Sequence, residues 1–520
     1  MSPDDVESRG PTVDQSEFVE VNASGHVQEV ERQFGLVSIS AVGIITGCSW
    51  PLTGGILVVS ILNGGSPGVL YEFIAVSLMY CLVAASVAEM ASAIPSSAGV
   101  YQWAAVFTSK AYGRVVSFYA GWWNVSAWIF ATVSTSSVVA QQLVQMYALF
   151  HADYIFQRWH VFVTYLIISW TACFVVVLGN RLLPVLNDIG LVFIVAGGLA
   201  SIIVCAVMPS QTGSGYADDA FVWKDWINST GWSSDGLTFL LGMLNGAYAM
   251  GTPDSVSHLA EEIPRPSVNI PKAIGMQMIF GFASTFCYLV ALMYSISDLD
   301  EVLTGGGNFP LAQIYLQATG TRAGAMGLLL VVFLPSVSSV IAAYITAGRT
   351  MWTLGRDGAT PCHQFVGKIH PTMHNPVNAT ILCACVNTCF GAIYVGSATA
   401  FNAFVGSFVI LTTLSYLAAL LPYLEGPIVI AAASVYMVVF IVIFSLPYTM
   451  PVTSGTMNYS SVIAGGITIA VTALWFWKRG RGYEGPKTDV DVLTGGTATN
   501  DPGAMDDPVV AHGTEDKQTH

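Results

Sequence analysis

Twelve apolar runs dominate this chain, each long enough to cross a lipid bilayer as a helix of about 20 residues. They fall at 36–62, 69–94, 116–148, 159–180, 185–208, 236–258, 273–296, 325–348, 377–397, 401–421, 427–447 and 460–477. In lipid every backbone N–H and C=O must be paired within the protein, so such runs fold as helices. The chain therefore reads as an all-α polytopic membrane protein with about 12 transmembrane helices. Composition agrees: 53% of residues are hydrophobic and 10% are charged, against about 25% charged in soluble domains. This excludes an ordinary cytosolic enzyme, a disordered protein and a disulfide-rich secreted domain.

The basic residues orient the spans. With the N-terminus in the cytoplasm, 15 of the 18 Lys and Arg residues fall on inside segments and three, Arg158, Lys224 and Arg322, fall outside. Positive charge accumulates on the cytoplasmic side, so both termini are expected there. The outside segment 209–235 carries the sequon Asn228-Ser229-Thr230, a candidate glycosylation site. Asn22, Asn124, Asn378 and Asn458 share the pattern but fall inside, within or close to the membrane.

The formal net charge of −14 resides mostly in the tails. Residues 1–33 hold eight acidic and two basic side chains, and residues 478–520 hold eight and five. Both are expected to be disordered cytoplasmic tails flanking a permease domain at 34–477. Such acidity argues against nucleic-acid binding. The nine cysteines match no zinc or redox spacing and read as small buried hydrophobes. No basic region precedes an apolar run at the N-terminus, so no cleavable signal peptide is expected.

Two spans are interrupted. Span one reads Gly43-Ile44-Ile45-Thr46-Gly47-Cys48-Ser49-Trp50-Pro51, and span six reads Tyr248-Ala249-Met250-Gly251-Thr252-Pro253-Asp254. Gly and Pro weaken a helix, and in a membrane such breaks persist where the freed groups find partners or line a cavity. Two breaks five spans apart suit inverted repeats with a midplane site. Gly43, Thr46, Gly47, Trp50, Tyr248, Gly251, Thr252 and Asp254 are the candidate substrate-binding residues. Close helix packing explains Gly43 and Gly47 as well.

Asp254 is the ionisable residue nearest the middle of any span; Glu72, Glu89, Asp188 and Glu425 sit nearer span ends. A buried carboxylate is expensive and marks function. It could carry a proton, pair with a substrate ammonium, or cap the second half-helix. His258, four residues on, could relay that proton.

Three long segments make the chain recognisable. Asp254–Pro266 (DSVSHLAEEIPRP), Ala88–Trp103 (AEMASAIPSSAGVYQW) and Gly348-Arg349 followed by Gly355–Pro361 (GRDGATP) resemble the fungal amino acid/choline transporter family of the amino acid-polyamine-organocation (APC) permeases. The resemblance covers about 36–477. It implies a LeuT-type 5+5 inverted repeat plus two extra helices, and secondary active transport of small amines, amino acids or choline, with the proton as coupling ion. Two departures stand out. The segment Leu421–Pro427 carries no Lys or Arg where the family has a longer basic loop. Residues 185–208 hold no Lys, so the lysine-based coupling of some wider relatives does not carry over.

Glu89, Glu261, Arg349 and Arg356 cluster towards the cytoplasmic face and are candidates for a gate of ion pairs. In span eight, Ser338 and Ser339 occupy a stretch where sodium-coupled relatives place ligands; back-bonding to the i−4 carbonyl is the plainer reading. Tyr119, Trp122, Trp123 and Trp128 of span three, with Trp50 and Tyr248, could build an aromatic cage for a quaternary ammonium or pack as core and membrane belt. No nucleophile–base triad, phosphate loop or metal cluster is present, so neither an enzyme nor a cofactor is expected. The partners are a small amine or amino acid, the coupling ion and the lipid bilayer. Three functions are compatible with this pattern: an importer at the plasma membrane, an exporter or vacuolar carrier of a related amine or secondary metabolite, and a sensor that binds without transporting.

Overall fold

The computed structural model describes residue 26 and residues 30–47, 49–109, 111–151, 153–304, 309–397, 399–423 and 428–486. Most of each expected tail, Cys48 and Glu425 lie outside the described residues. The described residues form helices joined by turns and loops, in the order α1 (Leu36–Gly47), α2 (Ser49–Gly55), α3 (Leu57–Ala93), α4 (Val100–Phe107), α5 (Gly113–Ala148), α6 (Arg158–Leu178), α7 (Leu183–Thr212), α8 (Asp219–Trp223) and α9 (Asp235–Met250). Next come α10 (Pro266–Tyr294), α11 (Leu299–Thr304), α12 (Leu311–Thr319), α13 (Arg322–Arg356), α14 (His363–Val366), α15 (Val377–Gly396), α16 (Thr399–Leu420), α17 (Ile428–Ile443) and α18 (Ser460–Arg479).

Ten helices among the described residues are long and apolar enough to cross a membrane. The other two expected spans are shorter. α17 is apolar but holds 16 residues, and α9 stops at Met250. The expected break in span six is present, but the chain beyond it does not form an α half-helix. Residues 251–256 are non-helical, and Ser257–Glu262 form one stretch of 3-10 helix. Pro253 accounts for this, since it removes an N–H and clashes with the preceding turn.

Span one ends at α1, where Gly47 closes the helix, and resumes as α2 and the first residues of α3. Gly65, at φ 66° and ψ −155°, divides α3 into 57–64 and 66–93. That left-handed backbone suits Gly, and Pro67 two residues later fits a new helix start. Spans one and two are thus joined by a turn at one glycine.

α5 is the buried centre, packed by α4, α6, α13 and α16. Its stretch Thr132–Ser137 is small and hydroxyl-bearing, which lets neighbouring backbones approach. Two of the hydroxyls are satisfied within the helix: Ser134 and Ser137 donate to the carbonyls of Phe130 and Val133 at 2.7 and 2.8 Å. Peripheral spans bury fewer residues. This corrects the reading of the cysteines as buried: Cys173, Cys205 and Cys383 are, but Cys81, Cys287, Cys362, Cys385 and Cys389 are exposed, and no disulfide joins the described ones. An apolar run buries a cysteine only on its protein-facing side.

Both ends of the membrane part lie on one face, which we term the terminal face. Of the residues expected from sequence to belong to the first tail, His26 lies there beside residues 478–483, Gln33 bonds Glu262 and Val30 is buried. The opposite, far face holds α8 and the segment up to α9, with Trp226 against Gly64 and Gly68.

Candidate functional site

The break after α9 places Asp254 at the junction of four elements. The carboxyl group is fully buried and lies within hydrogen-bond distance of four side chains. Oδ2 receives Asn124 Nδ2 at 2.8 Å and Trp128 Nε1 at 3.2 Å, both from α5, and lies 3.1 Å from His258 Nε2. Oδ1 receives the hydroxyl of Tyr416, on α16, at 2.5 Å. The donors come from side chains, so the carboxylate holds helices together rather than capping one.

His258 constrains the protons. Its Nδ1 lies 3.1 Å from the carbonyl of Ser97, and its Nε2 faces Asp254. A carbonyl and a carboxylate both accept, whereas a neutral imidazole carries one N–H. Both contacts are made when the pair holds one proton more than an ionised Asp and a neutral His. That proton makes an imidazolium facing a carboxylate, or a protonated Asp254 donating to Nε2. Gly99, at φ 54°, makes room, because a Cβ there would lie 3.2 Å from His258 Cε1.

Around this pair the two breaks are joined. Gln277 of α10 donates to the carbonyl and hydroxyl of Thr252 at 3.2 and 2.9 Å. Its Oε1 has no partner and stands 3.0 Å from where a Cβ on Gly43 would be. Asn124 Oδ1 and Ser255 Oγ are likewise buried without partners. Unpaired acceptors are rare in protein interiors, and here they gather beside the freed backbone. Trp128, Tyr248 and Phe408 form a ring cluster next to it, with Phe408 6.1 Å from Trp128 and 5.5 Å from Tyr248.

Of the other expected binding residues, Gly251 passes its carbonyl to Tyr416 at 3.4 Å, and Tyr248 bonds Ser134 at 2.7 Å. Thr46 donates back to Val42 at 2.6 Å, and Gly47 is buried beside it. Trp50 turns away: Nε1 donates to the Ile194 carbonyl at 3.2 Å and the ring meets Tyr288 edge-on at 5.0 Å. The span-three aromatics divide, for Tyr119 and Trp123 bond Thr472 and Thr468 of α18 at 2.8 and 3.0 Å. Ser338 bonds the Leu334 carbonyl at 3.2 Å, whereas Ser339 Oγ is buried without a partner. Asp188, at the start of span five, accepts from Ser38 at 3.2 Å. Sequence reasoning missed Gln277, Tyr416 and Phe408. A glutamine inside an apolar run was a usable signal for Gln277; Tyr416 and Phe408 read as ordinary core.

The three signature segments converge at the terminal face. Arg349 gives Nε and Nη2 to Glu262 at 2.9 and 3.2 Å and also reaches Asn180 at 3.1 Å. Arg356 holds Glu261 in a fork at 3.0 and 3.1 Å. Tyr101 and His26 meet the two oxygens of Asp357, both at 2.8 Å. Ser97 Oγ accepts the Glu261 N–H at 3.1 Å. Glu262 also takes Gln33 at 3.2 Å, and its carbonyl takes the Phe34 N–H at 3.1 Å. The buried charges are thus paired, as burial requires. Glu89 is exposed, with no ion pair among the described residues, so the structure keeps it out of this closure.

On the far face Asn228 is half-buried, and its amide nitrogen donates to the Trp232 carbonyl and to Asp235 at 2.9 and 3.0 Å. Among the described residues no group of three His, Cys, Asp or Glu is placed to hold a metal.

The amino acid permease family model matches residues 34–471. A choline transporter of Saccharomyces cerevisiae is 30% identical, covering 93% of this chain and 85% of that protein. A swainsonine transporter of Arthroderma benhamiae is 27% identical over 88% of this chain and 94% of its own. Among solved structures, a manganese transporter of Eremococcus coleocola aligns with TM-score 0.54 at 15% identity, covering 88% of this chain and 98% of its own. That likeness establishes the LeuT-type fold and nothing about cargo.

Proposed function

The chain belongs to the amino acid permease family of the APC superfamily, and on that premise we propose that it imports a small ammonium compound, choline first, driven by protons. Substrate binds at the junction of the two breaks and crosses by alternating access. The terminal face is cytoplasmic, the far face is outside, and the protein works at the plasma membrane.

One observation carries the reading. The buried Asp254–His258 pair adjoins the rings of Trp128, Tyr248 and Phe408. Aromatic faces attract a desolvated cation by about 2 kcal/mol, which suits choline, a cation without a carboxylate. Amino acids remain the other class, because the unpaired N–H groups of broken helices suit a carboxylate. Asp254 is already bonded by four side chains, so its role is coupling rather than holding the substrate ammonium. Arg349–Glu262 and Arg356–Glu261 act as the inner gate and part when the protein faces inward.

Uptake of radiolabelled choline and a panel of amino acids tests the reading, in yeast stripped of its own carriers, at external pH 5 and 7. Uptake of choline, stronger at pH 5, supports it. Absence of uptake from a protein present at the surface overturns import. The relative named as a swainsonine transporter favours one second reading, carriage of a secondary metabolite outward or into a vacuole, for which loaded cells would show efflux.

A further inference from the structure

Glu72 belongs neither to the Asp254 site nor to the terminal face. It lies in the second segment of α3, under the far face, and is 1% exposed. Neither carboxyl oxygen has a hydrogen-bond partner. Against it lies Gly242 of α9, where a Cβ would collide with the Glu72 carboxyl group. Gly68, one turn earlier, is also close, since a Cβ there would lie 3.3 Å from Oε1. The carboxyl thus sits in a slot made by two glycines. Just above it the Trp226 ring covers Gly64 and Gly68, and Trp226 Nε1 is also buried without a partner.

The packed elements bring no counter-charge. α9 carries Asp235, α8 and the residues after it carry Asp219, Lys224 and Asp225, and all four are exposed. α17 brings Tyr436, which packs on Tyr80 further down α3. α10 brings Tyr294, bonded to Asp219, and Lys272 near its opposite end. None bonds or pairs with Glu72.

An ionised carboxylate without a protein partner is among the most costly groups a membrane interior can hold, and such a group neutralises instead. We propose that Glu72 is a second proton-binding site, distinct from the Asp254–His258 pair, loaded from the far face. Protonated, the acid fits its slot and α3 packs on α9. When it releases the proton to water, the carboxylate must be hydrated, and α3, α9 and the Trp226 segment part. The far face therefore closes when Glu72 takes a proton and opens when it loses one. The consequence for uptake rests on the transporter reading; the protonation does not.

The test is an infrared spectrum of the purified full-length protein in nanodiscs, wild type minus Glu72→Gln, from pH 6 to pH 9. The C=O stretch of a protonated carboxylic acid should be present in the difference at pH 7 and fade towards pH 9. Its absence at pH 7 overturns the proposal. If Glu72→Gln does not fold, dicyclohexylcarbodiimide, which attacks neutral carboxylic acids in apolar surroundings, replaces it. Modification of Glu72 at pH 6 that falls at pH 9 supports the site; equal modification at both, or none, contradicts it. Uptake read alongside separates the two ideas. The band without uptake of any compound leaves the proton site standing and the transporter reading refuted; uptake without the band does the reverse.

Discussion

Arg349 and Glu262 meet across the terminal face with Nε 2.9 Å from Oε1, and both side chains are buried. Removing one partner of such a pair leaves a lone buried charge, a loss of about 3–5 kcal/mol. Arg349→Ala or Glu262→Ala should therefore open the terminal face. In the proposed orientation a cysteine introduced there should react faster with a membrane-impermeant thiol reagent applied from inside. The charge-exchanged pair Arg349→Glu with Glu262→Arg should restore part of the protection. Equal reactivity in the single variants and the wild type would remove the gate.

The Asp254–His258 pair predicts a change in pH response. Asp254→Asn keeps size and polarity but cannot hold the pair's proton. Uptake should lose its stimulation at pH 5 relative to pH 7 while surface expression persists. His258→Gln should do the same, because Nε2 faces the same carboxylate oxygen. A wild-type pH response in either variant would take the pair out of coupling.

The ring cluster predicts selectivity. Phe408 touches both Trp128 and Tyr248 but bonds no other group of the site. Phe408→Leu keeps apolar volume and removes the aromatic face, so KM for choline should rise by about tenfold, about 1.4 kcal/mol. Neutral amino acids should be affected less. An unchanged KM for choline would place the cation elsewhere.

Gly242 predicts a packing effect. A methyl group there must displace the Glu72 carboxyl group, and overpacking costs about 1–3 kcal/mol. Gly242→Ala should lower the melting temperature of the purified protein, and Glu72→Ala combined with it should recover part of the loss. Equal melting temperatures for wild type and Gly242→Ala would show that the slot is not tight.

The sequence made the architecture legible because lipid leaves the backbone few options. Apolar run length marked the spans, and Gly with Pro located the breaks at 47 and 251. The three signature segments pointed to one place, and Arg349 and Arg356 do pair there. What stayed hidden was partner choice. Glu261 and Glu262 are adjacent in sequence, yet each takes a different arginine, and Glu89 takes none among the described residues. Trp50 beside a break is the candidate the sequence offers, whereas Trp128 within an unbroken span reads as cage or core. Helix rotation reverses that choice, sending Trp50 to Ile194 and Trp128 to Asp254. Glu72 read as a residue near a span end; only the glycines of a neighbouring span reveal that it is enclosed.

The most direct test of the central claim is proton movement with substrate in reconstituted vesicles. The full-length protein would be placed in proteoliposomes holding a pH dye, with labelled choline outside and no imposed gradient. The account predicts that choline entry acidifies the lumen in the wild type and that Asp254→Asn abolishes the acidification. Choline entry with no change in lumenal pH would contradict it.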